Sequence, residues 1–344
     1  MIFQEDIPLS TLTTMRLGGL ARYVVEITTT DDLVAAVTFA QEHNLPWFVL
    51  GGGSNVVALG DYHGLIILNR IEGFEKLAED PDTPDTATYR IGAGQVWEQA
   101  VEQLVDLGLS GVEAMGGIPG YAGSTPIQNV GAYGQEIANT LQSLEAYDTS
   151  TNSFVTLSAP DCRFAYRDSL FKNPATRHHI ITSITLRLSK HPMQPPFYPS
   201  LERYLANQGV TDFTDLTPDR IHQAVLTIRD EKLPDPSEIP SAGSFFKNPI
   251  MEQPLVQELL SRFPNMPHWD QPNHKVKLAA GWLIEQAGLK GYASHGLQIY
   301  PDNALIVTNL SATSGNDLTA FKSEVITKVQ EMFGITLQQE PENL

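Results

Sequence analysis

An uncharged, glycine-rich stretch at residues 111–134 most strongly constrains how this chain can fold. It holds seven of the chain's 26 glycines, and no charged side chain occurs from Ala114 through Gln135. A surface linker of that length would usually carry more charge and fewer apolar side chains. So much uncharged backbone suits a large flat ligand held by main-chain groups, and a redox-active ring is a plausible ligand of this kind. A buried irregular loop that satisfies its own hydrogen bonds is the alternative.

A second glycine run, Gly51-Gly-Gly-Ser-Asn55, follows an apolar segment that predicts a buried strand at residues 46–50. Glycines there let backbone N–H groups approach a phosphate closely, and Ser54 and Asn55 add hydrogen-bonding groups. The run lacks the Gly-Lys-Ser/Thr of a Walker loop. Its two interpretations are a phosphate-binding loop and a tight turn between strands.

Helix and strand patterns alternate in the first third of the chain, which indicates an α/β protein. Alternating apolar residues predict a strand at 22–27, and helical spacing predicts helices at 31–40, with Thr30 as N-cap, and at 96–105. Further along, residues 277–287 suggest a helix that ends at Gly288.

Charge and cysteine content exclude several classes of protein. The chain has 22 basic and 40 acidic side chains, a formal charge of −18, which opposes binding to nucleic acid or to an anionic membrane. Its single cysteine, Cys162, cannot form an intrachain disulfide, and neither a signal-peptide pattern nor an 18-residue apolar run occurs. We therefore expect a cytoplasmic protein. A monomer is a separate expectation. The nine histidines show no metal-binding spacing, so surface histidines and no metal site are expected.

Seven motifs in a fixed order give the chain a family resemblance that spans residues 11–342. Together they closely resemble the UDP-N-acetylenolpyruvoylglucosamine reductases, flavoenzymes of peptidoglycan precursor synthesis, in their longer, loop-bearing subtype. The motifs are Thr14-Met-Arg16 with Gly18-Gly19, Gly51-Gly-Gly-Ser-Asn55, Gly117-Ile-Pro-Gly120, Pro126-Ile-Gln-Asn-Val-Gly-Ala-Tyr-Gly134, Tyr166-Arg-Asp-Ser169, Gly243-Ser-Phe-Phe-Lys-Asn-Pro249 and Ala280-Gly-Trp-Leu-Ile-Glu-Gln-Ala-Gly288.

The resemblance implies an α/β (α+β) architecture. It comprises a two-lobed FAD-binding fold of the vanillyl-alcohol-oxidase (PCMH) type followed by a C-terminal α+β substrate-binding domain. The implied boundaries are residues 1–70 and 71–226 for the two lobes, 227–334 for the substrate-binding domain, and 335–344 for a segment that returns to the active site.

The resemblance also implies the cofactor, a noncovalent FAD reduced by NADPH. The first glycine run would hold the FAD pyrophosphate, and the longer glycine-rich stretch would line the flavin. The cofactor residues implied in this way are Gly51, Gly52, Gly53, Ser54, Asn55, Gly117, Ile118, Pro119, Gly120, Gly123, Ser124, Gln128, Asn129, Gly131 and Ala132.

Three residues match catalytic positions of the family. Ser244 would protonate C2 of an enolpyruvyl group, Arg167 would polarise its carboxylate, and Glu342 would assist. The setting of Ser244 between Gly243 and two phenylalanines suggests a partly dry pocket. Other interpretations remain open: Arg167 beside Asp168 fits a surface ion pair, Ser244 fits an ordinary strand residue, and Glu342 lies in a segment where chains usually fray.

The implied substrate is UDP-N-acetylglucosamine enolpyruvate, which the family reduces to UDP-N-acetylmuramate. The positions that match substrate contacts are Tyr133, Tyr198, Arg229, Lys232, Asn248 and Asn303.

One departure from the family leaves alternatives open. Members commonly carry an arginine two positions after the glutamate, where this sequence has Leu344. Either the chain is shortened or another residue has that role. A flavin- and nucleotide-sugar-binding protein without turnover is therefore an alternative to the reductase, and an FAD-dependent oxidase is a second one.

Overall fold

A computed structural model describes residues 1–78, 81–210, 212–213 and 216–344, with Pro174 described by its backbone alone. Within these ranges it has twenty strands and seven α-helices. The helices are α1 Thr30–Glu42, α2 Trp97–Asp106, α3 Pro199–Asn207, α4 Pro218–Asp230, α5 Gln253–Arg262, α6 Ala280–Gln286 and α7 Gly315–Phe333. The strands are β1 Phe3–Pro8, β2 Leu20–Ile27, β3 Trp47–Leu50, β4 Val56–Val57, β5 Tyr62–Asn69, β6 Phe74–Lys76, β7 Thr86–Gly92, β8 Gly131–Ala132, β9 Gln135–Glu136, β10 Leu141–Asp148, β11 Ser153–Ser158, β12 His179–Ser189, β13 Ser241–Ser244, β14 Ile250–Glu252, β15 His268–Gln271, β16 Lys275–Leu278, β17 Ala293–Ser294, β18 Leu297–Ile299, β19 Ile306–Asn309 and β20 Glu342–Asn343.

The chain divides into two compact units that do not follow its linear order. The first contains residues 1–5, 23–52 and 63–231, and the second contains residues 6–22, 53–62 and 232–344. Two early segments therefore belong to the unit whose main part begins at residue 232.

The first unit is built mainly on two sheets. Strand order in one is β1-β2-β5-β3, with β3 and β5 parallel, and in the other it is β11-β10-β12-β7-β6, with antiparallel neighbours. Strand β12 is buried along most of its length because apolar groups cover both faces. Its Ile184 packs with α2, whereas Ile180 packs with β5 and α1.

Helix α1 shows how a local signal sets an element's start. Thr29 has extended backbone and its hydroxyl accepts a 3.1 Å hydrogen bond from the amide of Asp32. The predicted cap, Thr30, is wrong by one position, because Thr30 is already helical. Asp31 and Asp32 lie in the first turn, where they complement the positive end of the helix dipole.

The second unit contains a four-stranded sheet of order β13-β19-β18-β17 and a three-stranded sheet of order β14-β16-β15. Helix α7 covers its core with Leu318, Phe321, Val325 and Val329, and ends at Gly334, whose φ of +69° is the left-handed conformation of a helix C-terminus. The helix predicted at residues 277–287 is wrong at its start. Residues 275–278 alternate and form β16, and α6 begins only at Ala280.

In the described ranges of the chain, no helix combines the length and apolar character that crossing a bilayer requires.

Candidate active site

The two glycine segments predicted to bind FAD contact each other inside the first unit. Gly51 and Gly52 follow β3, and a Cβ on Gly51 would overlap the hydroxyl oxygen of Ser124. A Cβ on Gly52 would lie 3.0 Å from the Cα of Gly120 and 3.8 Å from the ring of Tyr121. The close approach of the two segments therefore favours glycine at both positions, and it places predicted residues 51–52 beside predicted residues 120–124.

Arg70 lies at the same place and was not predicted from the sequence. Its guanidinium donates to the carbonyl oxygens of Asn69, at 2.9 Å, and Gly51, at 3.4 Å. The guanidinium carbon is 4.2 Å from the centroid of the Tyr121 ring, a cation–π contact. The only sequence signal is a basic residue directly after a buried strand. This arrangement fixes a positive charge against the first glycine run.

The remaining part of that run, Gly53 to Asn55, belongs to the second unit. Gly53 has φ +64°, and a Cβ there would overlap the carbonyl oxygen of Leu12. The main chain of Asn55 is paired: its carbonyl accepts a 2.9 Å bond from the amide of Glu342. Strand β20 then runs parallel to β4, with Glu342 opposite Val56. The fraying considered for Glu342 is thus replaced by strand pairing, beside the predicted cofactor residue Asn55.

The longer glycine-rich stretch folds into short turns rather than an extended loop. Gly123 donates to the carbonyl of Ala93 at 2.9 Å, and a Cβ on Gly123 would lie 2.5 Å from the Cβ of Ala93. The Asn129 side chain is buried, with its amide donating to Ala165 and accepting from Ala138. Of the other predicted cofactor residues here, Pro119 is exposed and the rest are half-buried, namely Ile118, Gln128, Gly131 and Ala132.

Arg167 is held against this stretch. It lies in a tight two-residue turn between Ala165 and Asp168, whose main chains exchange two hydrogen bonds, and its φ is +51°. The guanidinium donates to the carbonyl oxygens of Gly131, at 2.7 Å, and Asn129, at 3.3 Å. The predicted catalytic arginine is therefore positioned by the predicted flavin-lining segment.

Three predicted substrate residues lie near one another in the first unit. The rings of Tyr133 and Tyr198 meet edge to face, with centroids 5.8 Å apart. Burial raises the pKa of Tyr133, and the Arg229 charge opposes that rise. Arg229 also donates a 2.9 Å hydrogen bond to the carbonyl of Gly117.

Ser244 ends β13 in the second unit and is exposed, whereas Phe245 and Phe246 after it are fully buried. The pairing of β13 with β19 shifts register between Ser241 and Ser244, and Gly243 within that irregularity has φ +66°. A β-bulge of this kind re-aims a side chain. The two phenylalanines suggest a partly dry pocket, but only their own side chains are buried, and Ser244 is exposed.

The C-terminal segment pairs with the residues around Ser244. The amide of Glu340 donates to the carbonyl of Phe245 at 2.9 Å, and the amide of Lys247 donates to that of Gln338 at 2.9 Å. Glu342, two residues after Glu340, donates its amide to Asn55. The C-terminal segment is therefore hydrogen-bonded through its main chain both to Phe245 and to Asn55.

The other predicted substrate residues of the second unit have separate local surroundings. Asn248 Oδ1 accepts a 2.9 Å bond from the amide of Ala280, the first residue of α6. Asn303 Oδ1 accepts from the amide of Leu305 at 3.1 Å, within the turn before β19. Lys232 is exposed just beyond α4.

One side-chain cluster among the described residues has the atoms to hold a metal ion. Asp148, His178 and His179 each place a ligand atom within 4.8 Å of the others. Asp148 Oδ1 is already bound by the amide and hydroxyl of Ser150, at 2.8 and 2.6 Å. Burial alone would raise the pKa of Asp148, but these hydrogen bonds lower it to about 2. The two histidines are half-buried beside a carboxylate rather than simply solvated.

Two protein families match this chain. Residues 21–158 match the family described as FAD binding domain, and residues 235–344 match the C-terminal domain of UDP-N-acetylenolpyruvoylglucosamine reductase. The matches confirm the predicted fold class, an FAD-binding α/β part followed by an α+β domain.

Individual relatives extend the similarity over nearly the whole chain. The UDP-N-acetylenolpyruvoylglucosamine reductase of Ralstonia nicotianae is 40% identical over 334 residues, which is 97% of both chains. That of Salmonella typhi is 38% identical over 95% of this chain and 92% of its own. The crystal structure of the Thermus caldophilus reductase superposes with a TM-score of 0.66 and 23% identity over 99% of both chains, which shows the same fold. The chain therefore belongs to the UDP-N-acetylenolpyruvoylglucosamine reductase family of FAD-containing oxidoreductases.

Proposed function

We propose that this chain reduces UDP-N-acetylglucosamine enolpyruvate to UDP-N-acetylmuramate in peptidoglycan precursor synthesis, with NADPH as hydride donor and noncovalent FAD as resident cofactor. The observation that carries the proposal is the occurrence, in one chain, of an FAD binding domain and the C-terminal domain of this reductase. The 97% coverage by a relative of that name supports it.

The residues of the first unit fit FAD. Gly51 and Gly52 have no side chains, so their main chain lies directly against residues 120–124, a segment that carries no charge. Arg70 adds a positive charge, which suits a diphosphate. We assign the pyrophosphate to residues 51–55 and the flavin to residues 117–132.

When bound, FAD would supply hydride transfer from NADPH to C3 of the enolpyruvyl group. Negative charge then develops at C2 and on the carboxylate, so the chain must supply a cation and a proton. We assign the cation to Arg167 and the proton to the hydroxyl of Ser244, with Glu342 assisting. In support, hydrogen bonds orient Arg167, a bulge exposes Ser244, and strand pairing holds Glu342.

The remaining assignments concern substrate binding. Tyr198 directly precedes α3, 40% of its surface is exposed, and its ring contacts that of Tyr133. We assign it to cover the bound substrate beside Tyr133. Arg229 and Lys232 are assigned to the diphosphate because both are cationic. Asn248 and Asn303 are assigned hydrogen bonds to the sugar nucleotide.

We further propose that residues 1–70 and 71–226 form the two FAD-binding lobes, that residues 227–334 form the substrate-binding domain, and that residues 335–344 return to the active site. The formal charge of −18 supports a protein without nucleic acid or membrane partners. We propose a cytoplasmic monomer, which light scattering of the purified protein would test.

Anaerobic absorbance spectroscopy tests the activity in one cuvette. NADPH is added to the purified holoenzyme, followed by the enolpyruvyl sugar nucleotide. The proposal predicts that the flavin spectrum bleaches with NADPH and recovers with the second substrate, with UDP-N-acetylmuramate as product.

The other outcomes would each overturn a part of the proposal. Bleaching without recovery would indicate a flavin- and nucleotide-sugar-binding protein that lacks turnover. Recovery that requires oxygen and ignores the sugar nucleotide would indicate an oxidase. A protein that carries no flavin after reconstitution with FAD would refute the proposed function altogether.

A further inference from the structure

A carboxylate–imidazole pair lies outside all the residues assigned so far. Glu98 is on α2 and His222 is on α4, and the Nε2 of His222 is 2.9 Å from Oε1 of Glu98. The His222 side chain is only 2% exposed. Buried histidine and glutamate side chains seldom lie so close unless each meets the hydrogen-bonding and charge requirements of the other.

The second oxygen of Glu98 binds the main chain of the glycine-rich stretch. Oε2 accepts a hydrogen bond from the amide of Gly117. The main-chain carbonyl of Gly117 accepts a 2.9 Å hydrogen bond from the guanidinium of Arg229. Charged side chains from two helices thus bind both main-chain polar groups of Gly117, whose φ of +70° is left-handed.

The packing around this residue is specific to glycine at two consecutive positions. A Cβ on Gly116 would overlap the His222 ring, and a Cβ on Gly117 would lie 2.9 Å from Nε of Arg229 and 3.0 Å from Cδ2 of Leu226. His222, Leu226 and Arg229 are four and three residues apart, so they share one face of α4. That face therefore fits closely against the two glycines.

The electrostatics favour a charged pair. Burial alone would raise the pKa of Glu98, but hydrogen bonds from His222 and Gly117 lower it. Burial alone would lower the pKa of His222, but its hydrogen bond and charge interaction with Glu98 raise it. An ionised carboxylate can only accept hydrogen bonds, so Oε2 fixes the direction of the Gly117 amide.

We propose that Glu98 and His222 are positioning residues that fix the main chain of Gly117 and, through it, the segment 117–120 that lines FAD. The inference rests on the proposed function, because that function assigns the segment to the flavin. Three residues after Gly117, Gly120 lies against Gly52 of the first glycine run. A displacement at Gly117 is therefore transmitted to the contact between the two cofactor segments.

Glu98→Gln tests the proposal, because glutamine keeps the size of the side chain and loses its charge. Glu42→Gln is the matched control: it makes the same change at the exposed last residue of α1. FAD release from the holoenzymes is measured by flavin fluorescence on dilution, together with the visible spectrum, the flavin midpoint potential and the urea midpoint.

We expect Glu98→Gln to weaken FAD binding about tenfold or more and to shift the flavin absorbance bands and potential, whereas Glu42→Gln should match the unchanged protein. A purely structural role would lower the urea midpoint of Glu98→Gln and leave the spectrum, potential and affinity unchanged. That result would overturn the proposal.

His222 provides a second pair of variants should Glu98→Gln not fold. His222→Phe keeps a planar ring without a donor, and His222→Gln retains an N–H group. Weaker FAD binding in the first and recovery in the second are expected. Equal FAD affinity in His222→Phe and the unchanged protein would refute the positioning role. Absence of FAD from the unchanged protein would instead refute the proposed function, so the two failures are distinguishable.

Discussion

Gly123→Ala should displace the segment that carries Ser124. The added Cβ would lie 2.5 Å from the Cβ of Ala93 and 2.9 Å from its Cα, whereas carbon atoms in contact prefer about 3.5–4.0 Å. The φ of Gly123 lies outside the left-handed region. The perturbation is therefore the methyl group itself and not an unfavourable backbone conformation.

The size of the effect follows from the distances. Relieving the overlap requires the two segments to separate by about 1 Å, which would stretch the 2.9 Å bond from Gly123 to the Ala93 carbonyl beyond normal range. Overpacking costs about 1–3 kcal/mol and the weakened hydrogen bond about 1 kcal/mol. We expect the free energy of unfolding to fall by roughly 2–4 kcal/mol. If FAD binding must restore the original position of the segment, the affinity for FAD falls about tenfold for every 1.4 kcal/mol that this costs.

Urea unfolding and fluorescence of released flavin measure the two effects. Gly60→Ala is the control, because no atom lies within 4 Å of its added Cβ. The double variant Ala93→Gly, Gly123→Ala removes one of the two overlapping methyl groups and should recover part of both losses. If Gly123→Ala behaved like Gly60→Ala in both assays, the close contact at Ala93 would be refuted.

Three further predictions follow from the site and its surroundings. Ser244→Ala should leave flavin reduction by NADPH nearly intact and slow reoxidation by the sugar nucleotide by about 10²–10⁴-fold in stopped flow; equal slowing of both would contradict its role as proton donor. Arg167→Lys should lower steady-state turnover at least about tenfold, because a point charge cannot keep hydrogen bonds to both Gly131 and Asn129 while binding a carboxylate; unchanged turnover would count against the assignment. The pKa of Asp148 falls from its ordinary 3.8 to about 2 in the folded protein, so its stabilising effect is present above about pH 4 and disappears as pH falls toward 2. Asp148→Asn should therefore flatten the acid side of the stability–pH curve, and an identical curve would disprove the reasoning.

The features that could be predicted from the sequence are those with local causes. The start of α1 depends on a threonine and two aspartates within four residues, so the prediction missed it by only one position. The glycine runs were identifiable because composition alone marks them, and the contact between Gly52 and Gly120 shows why glycine is needed there.

Features with distant causes could not be predicted. Arg70 gains its place only when residues 51 and 121 come together, and Glu98 meets His222 across 124 positions of sequence. Ser244 was expected in a partly dry setting, but the bulge that exposes it depends on register with β19. The only local signal among these is the position of Arg70 directly after a buried strand, and it does not indicate the contact with residues 51 and 121.

The division of the chain into interleaved units has a consequence for its synthesis. Met15, Leu17 and Val57 belong to the core of the unit whose main part begins at residue 232. At about 5–20 residues per second on the ribosome, residue 232 follows residue 62 by roughly 9–34 seconds. During that time these apolar side chains lack the residues they pack against, so they can be bound by a chaperone or can cause aggregation. A fragment expressed from residue 232 onward would lack them altogether, so it should recover its fold only when the early segments are supplied in trans.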